Sequence, residues 1–253
     1  MKKEPLFIAF STQKGGAGKT TLTVLMASYL YYVKGYDVAV VDCDYPQFSL
    51  KDMRERDLKN IERNPHLRRA AYEQFKRLGK RAYPIVGSRP DHAVEAARPF
   101  VESETPPDFV FFDLTGTVNN MGLIKTVATM DYIFCPIAAD RFIMESSLKY
   151  AGILNDTLVT TGKSNIKGIR LLWNMVDRRE KTDLYDIYEK VIAGMGLEVL
   201  KTSLPDSKRF RKEGAEEGDR PLFRSTLLPP DRTPAKGSGI DALAEEILEI
   251  VNR

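Results

Sequence analysis

Thiols are scarce in this chain. Among its 253 residues only Cys43 and Cys135 carry them, each at the end of an apolar run and without C-x-x-C spacing. That pattern excludes a disulfide framework and a cysteine-built zinc site, and it fits a reducing, cytoplasmic location. Long apolar runs are missing too. No stretch approaches the roughly 18 apolar residues of a membrane-spanning helix. The first apolar stretch, Leu6–Phe10, is five residues long, short of the about 7 to 15 that a secretory signal needs. A soluble protein is expected. Nor does one sign of charge dominate: 38 Lys and Arg against 35 Asp and Glu leave +3, too little to require a nucleic-acid partner. Internal repeats and composition breaks are also absent, so residues 1–253 read as one domain, a length that α/β proteins reach around one core.

Short, continuous apolar runs are plentiful. Leu6–Phe10, Asp37–Asp42, Ala82–Val86, Asp108–Asp113, Asp131–Ile137, Gly168–Val176 and Leu197–Leu204 read as strands, and most are apolar throughout, as expected of strands covered on both faces. Helix-type segments alternate with them: Thr20–Val33, Asn64–Gly79, His92–Glu102, Val118–Met130, Phe142–Thr161, Asp183–Met195 and Ile240–Val251. This alternation predicts an α/β fold with a doubly wound, mostly parallel sheet flanked by helices. Its ligand site belongs at the carboxyl ends of the strands. Two stretches depart from the rhythm. Residues 47–107 read as a charge-rich helical region with one plausible strand; residues 214–239, with Pro221, Pro229, Pro230 and Pro234, read as an irregular, mobile loop.

Glycine is concentrated in Lys14–Thr20, KGGAGKT. This is a compact, double-lysine form of the phosphate-cradling pattern G-x-x-x-x-G-K-[ST], entered from a strand-type run and left by a helix-type run. Bare glycines let the backbone take positive φ and bring successive N–H groups against a polyphosphate, and the helix adds its positive N-terminal end. The pattern sets Lys19 on the β- and γ-phosphates and the Thr20 hydroxyl on Mg²⁺.

Hydrolysis also needs carboxylates. Asp42 and Asp44, in VVDCDYPQ, close the second apolar run. In a continuing strand that spacing puts both on one face, where they serve one metal and one water. Asp113 ends FVFFDLTG, the Walker B arrangement in which a strand-end acid holds the Mg²⁺ shell. Each acid alone reads equally as a turn or a helix cap; three of them, each after an apolar run in a chain with a phosphate loop, favour the metal site.

KGGAGKTT, DCDYPQ, DLTG, the asparagine of LLWNMVDRR and the later LPDSKRFRKEG resemble, in order, the motifs of the ParA/MinD family of deviant-Walker ATPases, over Leu6 to Glu217. Shortness and the DCDYPQ variant, with Tyr45 inserted into the family's D-x-D-P-Q, bring the resemblance closest to ParA-like proteins of Bacteroides-type conjugative transposons and plasmids. The resemblance implies a P-loop NTPase of the deviant Walker A type that uses ATP/ADP and Mg²⁺ and forms a homodimer on ATP binding. Lys14 then matches the signature lysine that reaches across an ATP-sandwich dimer, where positive charge on the γ-phosphate in a dry site speeds phosphoryl transfer. Lys19 and Asp44 complete the catalytic set, Asp44 as the switch acid that positions water. Thr20, Asp42 and Asp113 form the metal set. Gly15, Gly16, Ala17, Gly18, Lys19, Thr20 and Thr21 enclose the phosphates, Asn174 recognises adenine, and Pro205 and Asp206 line the base. Trp173, beside Asn174, reads as strand packing.

Two basic stretches could contact DNA without sequence preference, through counterion release. Glu62–Arg81 holds seven basic residues (Arg63, Arg68, Arg69, Lys76, Arg77, Lys80, Arg81) against two acids, and Lys201–Lys212 holds five (Lys201, Lys208, Arg209, Arg211, Lys212) against Asp206. A solvated helix face is the alternative for each; the resemblance favours the later stretch. It implies a nucleoid-associated ATP dimer, a ParB-like stimulating partner, and a role in partition, maintenance or transfer of a plasmid or conjugative element. A membrane-associated positioning ATPase is a competitor, but the final GIDALAEEILEIVNR is acidic where anionic lipid would demand basic charge. This helix is expected to pack on the fold through Ile240, Leu243, Ile247, Leu248 and Ile250. A nucleotide-gated scaffold with little hydrolysis is a second competitor.

Overall fold

The computed structural model describes residues 4–114, 121–177, 183–206, 224–230 and 238–253. Among them, strands β1 (Leu6–Phe10), β2 (Val38–Asp42), β3 (Ile85–Gly87), β4 (Phe109–Asp113), β5 (Tyr132–Ile137), β6 (Gly168–Trp173) and β7 (Glu198–Val199) form one sheet in the order β3-β2-β4-β1-β5-β6-β7. Every neighbouring pair is parallel. The helices are α1 (Lys19–Tyr29), α2 (Ser49–Arg63), α3 (Pro65–Leu78), α4 (Ala93–Val101), α5 (Met121–Ala128), α6 (Arg141–Leu154), α7 (Asp183–Gly194) and α8 (Ile240–Ile250). Single π turns extend α1 over Leu30–Lys34 and α6 over Asn155–Val159.

The continuous apolar runs are explained by burial on both faces. Side chains alternate along a strand. Ile8, Phe10, Val38, Val40, Phe109 and Phe111 point into a core completed by α1, α2 and α8 residues such as Leu25, Met26, Leu50 and Ile247. Their neighbours Ala9, Ala39, Val41, Val110 and Phe112 point into a second core with Ala93, Ala97, Leu123, Met144 and Ile192 from α4 to α7. Burying apolar surface at about 25 cal/mol per Å² makes either face alone a poor place for a polar side chain, so neither shows the polar half of an amphipathic strand. α8 lies on the first core: Ile240, Leu243, Ile247 and Leu248 are buried, and Ile250 packs at the edge. Trp173 is buried too, its Nε1 donating to Glu189 Oε1 at 2.9 Å and its ring edge-on to Tyr185.

Three expectations change. The charge-rich stretch after β2 contains a second helix, α2, that the apolar pattern does not show, because only Leu50 and Asp57 of its fifteen residues are buried. Asn64 ends α2 and caps α3: its Oδ1 accepts from His66 and Leu67, and Pro65 takes the first helical position. The strand expected over Leu197–Leu204 is regular only at Glu198–Val199, although Leu200 and Leu204 still donate to Leu171 and Trp173 carbonyls. Lastly, within the stretch read as a mobile loop, Ser225, Thr226, Leu227 and Leu228 are packed inside the fold, between 0% and 8% exposed.

Candidate nucleotide-binding site

The loop after β1 is anchored before it reaches its glycines. Ser11 Oγ pairs with Tyr150 Oη at 2.7 Å and Thr12 Oγ1 with Ser147 Oγ at 2.8 Å, all four side chains being buried. Both partners come from α6. The chain then opens: Gly16 and Gly18 have φ of +82° and +89°, and a Cβ at Gly15 or Gly16 would meet nothing within 4 Å. α1 begins with no side-chain cap and no acid in its first turn. Its first N–H groups therefore face an open cradle with a positive helix end behind them, which is a site for an anion.

Lys19 and Lys14 stand together at this cradle. Lys19 is half-buried and donates from Nζ to the Lys14 carbonyl at 3.0 Å. Burial lowers its pKa, while the charges of Asp113 and Asp44 oppose that shift. Lys14 is exposed, and its ammonium lies 5.1 Å from the centre of the Phe142 ring, itself 69% exposed at the start of α6. Sequence reading missed this aromatic support, because Phe142 is separated from Lys14 by four strands' worth of chain.

The acids are arranged differently from a continuing strand. Register pairs Asp42 with Asp113 on adjacent strands, but β2 ends at Asp42 and the chain turns. Asp42 is fully buried, and its Oδ2 accepts from Leu50 and Lys51 N–H at 2.9 and 3.2 Å, capping α2 from a distance; Oδ1 accepts from Asp44 N–H at 3.2 Å. Burial raises its pKa against those hydrogen bonds. Asp44 sits half-buried in the turn, with Ser49 Oγ donating to its Oδ2 at 2.6 Å. The two carboxylates thus do different work: one closes a helix, and the other is held at the edge of the cradle.

Asp113 is 1% exposed, and neither of its oxygens has a hydrogen-bond partner within normal geometry. Burial pushes its carboxyl up to about 7; the Thr20 hydroxyl and Lys19 pull it down, and Asp42 and Asp44 push it further up. A buried, unsatisfied carboxylate beside a threonine hydroxyl and a phosphate cradle is a donor set that fits Mg²⁺, which keeps several waters and takes one or two protein oxygens. No group of three or more His, Cys, Asp or Glu side chains suited to a metal occurs among the described residues, so an all-protein cage is not what this site offers. The shift gives a prediction for the metal-free, nucleotide-free chain. Folding takes up a proton on Asp113 between the ordinary carboxylate pKa near 4 and about 7. Stability therefore falls as pH rises through that window and stays reduced above it. Asp113→Asn is expected to flatten this loss and to be more stable than wild type at pH 8, as read by urea unfolding at pH 5 and pH 8; equal pH dependence of the two proteins would contradict it.

Asn174 reaches the cradle from the end of β6. Its Nδ2 donates to the Ala17 carbonyl at 2.9 Å, and its Oδ1 accepts from Met175 N–H at 3.0 Å. A Cβ at Gly18 would stand 2.7 Å from Nδ2, so that glycine is required for the approach as well as for its φ. Pro205 bridges to Val176, and Asp206 N–H donates to the Val176 carbonyl at 2.9 Å, which sets both just past Asn174. Of the later basic stretch, Lys201 is exposed, its backbone N–H on Glu246; Lys208, Arg209, Arg211 and Lys212 lie outside the described residues. Arg224 was not anticipated: its Nη1 donates to Thr21 Oγ1 at 3.0 Å.

A glycine loop between the central strand and α1, strand-end acids on β2 and β4, and a half-buried lysine at a topological switch point define a P-loop NTPase of the doubly wound class. Comparison narrows the class. The model of the CobQ/CobB/MinD/ParA nucleotide-binding domain matches residues 8–219, and the chain belongs to that family. No curated protein sequence matches it. Among solved structures it resembles the MinC:MinD cell division complex of Aquifex aeolicus (TM-score 0.62, 14% identity, 98% of this chain and 96% of that one). A Cyanothece McdA variant in complex with ATP is also similar (TM-score 0.60, 14% identity, 98% and 97%). So is a plasmid partition protein of Borrelia burgdorferi (TM-score 0.58, 14% identity, 98% and 98%). At these identities the likeness establishes the fold. No helix among the described residues is long and apolar enough to cross a membrane.

Proposed function

We propose that this chain is a Mg²⁺-dependent ATPase that dimerises on ATP and acts as a nucleotide switch on DNA. The observation that carries the reading is Lys14: it stands exposed beside an open phosphate cradle, propped on an exposed aromatic ring, with its own carbonyl taken by Lys19. A lysine serving its own nucleotide would be drawn into the cradle. One held outside it is available to a second chain.

Lys19 neutralises the β- and γ-phosphates of its own nucleotide, and Gly15 to Thr21 enclose them with backbone N–H groups. Thr20 and Asp113 would hold Mg²⁺, with Asp42 beside Asp113 on the neighbouring strand, and the ion would supply charge neutralisation on the phosphates. Asp44, oriented by Ser49, holds the attacking water. Lys14 of the facing protomer adds charge as the γ-phosphoryl group leaves, so hydrolysis depends on the dimer. Asn174, Pro205 and Asp206 form the base side. The ATP dimer binds DNA non-specifically, which brings it to the nucleoid, and a ParB-like partner stimulates hydrolysis and release. The partition protein among its structural neighbours and the motif resemblance support a role in maintenance or transfer of a plasmid or conjugative element, of the Bacteroides type.

The test is Lys14→Ala. It is expected to bind ADP and ATP as wild type does, to remain monomeric with ATP by light scattering, and to hydrolyse ATP about 100-fold more slowly, the size of a lost transition-state donor. A wild-type rate in that variant would remove Lys14 from the chemistry. Retention on random duplex DNA with ATP but not ADP, falling steeply with salt, is expected of the wild type. Salt-independent or nucleotide-independent retention would leave a nucleotide-gated scaffold instead.

A further inference from the structure

The arginines of this chain divide by place. Among the described residues, every arginine outside 63–81 has its guanidinium hydrogen-bonded or ion-paired, as Arg54 is to Thr226 and Tyr83, Arg56 to Asp57 and Arg170 to Glu198. Within 63–81, Arg68 donates to the Glu62 carbonyl, whereas the side chains of Arg63, Arg69, Arg77 and Arg81 are exposed and reach no acceptor among the described residues. The acids of the stretch, Glu62 and Glu73, are exposed and form no ion pair with them.

These cations stand on a helix that is fixed from behind. Asn64 caps α3, Ala71 and Gln74 are buried, and the Phe75 ring lies edge-on to Tyr32 at 5.9 Å. Gln74 Nε2 donates to the Leu227 carbonyl at 2.8 Å. Leu227 belongs to a strap, residues 224–228, whose Ser225 and Thr226 are held by Asp57 of α2. On the outer side, Arg69, Tyr72 and Lys76 follow one another at i, i+3 and i+7, one row on the helix surface, with Arg77 beside Lys76. Tyr72 is 63% exposed, and the Lys76 ammonium lies 5.8 Å from its ring centre. The row extends about 10 Å along the helix, enough to meet several phosphates of a duplex that carries one charge per about 1.7 Å of its axis.

Guanidinium forks, an ammonium and a phenol hydroxyl are donors that suit phosphate oxygens. A bilayer suits this face less. Tyr72 is the one exposed large apolar side chain of α3, since Leu67, Phe75 and Leu78 are half-buried against the fold; a helix lying in a lipid surface buries a whole apolar face. The row is also one helix away from the nucleotide site. α2 begins at Ser49, whose hydroxyl is on Asp44, and ends at Asn64, the cap of α3.

We infer that the outer face of α3, with Arg69, Tyr72, Lys76 and Arg77, is the surface on which this chain binds the phosphate backbone of duplex DNA, and that ATP acts by setting two such faces on one duplex. This rests on the reading of the chain as an ATP-dimerising switch on DNA. One face alone neutralises few phosphates; two in one dimer double the number, so retention follows dimerisation.

The combined variant Arg69→Gln, Lys76→Gln, Arg77→Gln removes three cations from each face of the dimer. With ATP, the slope of log affinity against log salt is expected to fall by about 5, at about 0.9 per cation, and affinity for random duplex at about 0.1 M salt to fall about 100-fold or more. Arg69→Lys with Arg77→Lys should keep most of the affinity, because contacts to the backbone read charge and not base sequence.

Anisotropy of a labelled random duplex with ATP and with ADP, melting of each protein, and sedimentation with vesicles of phosphatidylserine and phosphatidylcholine decide the matter. Support consists of the loss in the glutamine variant, at the melting temperature and ATP affinity of wild type, and its recovery in the lysine variant. Duplex affinity within about threefold of wild type in the glutamine variant would overturn the inference. So would an equal loss in the lysine variant, or a loss seen only when Lys208, Arg209, Arg211 and Lys212 are neutralised instead. A wild type that sediments with vesicles and ignores duplex would make the face a lipid surface. In each of the first three cases the wild type still binds duplex and only the place of contact is wrong; a wild type that binds no duplex ends the DNA reading as well.

Discussion

Lys19→Ala abolishes ATP binding: the expected loss of ATP affinity is at least 100-fold, and that of ADP, which has no γ-phosphate, at least tenfold. The half-buried ammonium is the charge nearest the start of α1, and each hydrogen bond from it to a phosphate oxygen contributes about 1.5–3 kcal/mol. With ATP two such bonds, one to each of the β- and γ-phosphates, are lost together, and with ADP one; about 1.4 kcal/mol is a factor of ten. Among the described residues Lys19 gives up its 3.0 Å bond to the Lys14 carbonyl and its attraction to Asp113 and Asp44, which its own burial opposes. The nucleotide-free protein should therefore melt as the wild type does, which separates lost binding from lost folding. Titration calorimetry reads the affinity; an ATP dissociation constant within tenfold of wild type would place the phosphates away from Lys19. Lys19→Ala is also expected to abolish hydrolysis at saturating ATP.

The largest stability effect is expected at Asp57→Ala. Asp57 is fully buried on an otherwise polar helix and accepts from Ser225 and Thr226 as well as from the Arg56 guanidinium, 2.7 Å away. Removing it strands the Thr226 N–H and two hydroxyls in the interior, while the Arg56 side chain, 36% exposed, can turn to water. Breaking a buried charge network by deleting one partner costs about 3–5 kcal/mol. For a chain of this length that lowers the melting temperature by on the order of 10 °C. Urea unfolding measures the loss; a change below about 1 kcal/mol would mean that the strap is not anchored through Asp57.

How far the sequence could be read follows from where each element gets its stability. β1, β2, β4 and β5 announce themselves because both faces are covered, which makes their runs apolar throughout. The phosphate loop is visible because glycines, a lysine and a threonine must be consecutive to wrap one anion. α2 was invisible for the opposite reason. Besides Leu50, its hold on the fold is polar, through Asp42 at its start and Asp57 in its middle, and one leucine with one inward carboxylate leaves no periodic trace. The same gap hid the strap: Ser225 and Thr226 are ordinary loop residues until Asp57, 168 and 169 positions earlier, accepts their hydrogen bonds.

The sequence by itself determined the doubly wound class, the phosphate cradle and the strand-end position of Asp42 and Asp113. Those depend on residues adjacent in the chain and on burial patterns a few residues long. Tertiary structure alone decided that β4 lies between β1 and β2, which sets Asp42 beside Asp113 in register. It also turned Asp42 toward α2 instead of the open cradle, set Lys14 on Phe142, closed Gly18 against Asn174 and brought Arg224 to Thr21. Each of these pairings beyond α2 joins groups more than a hundred residues apart. No local preference of the chain encodes them; they exist only once both cores have closed and the sheet has fixed which loops are neighbours.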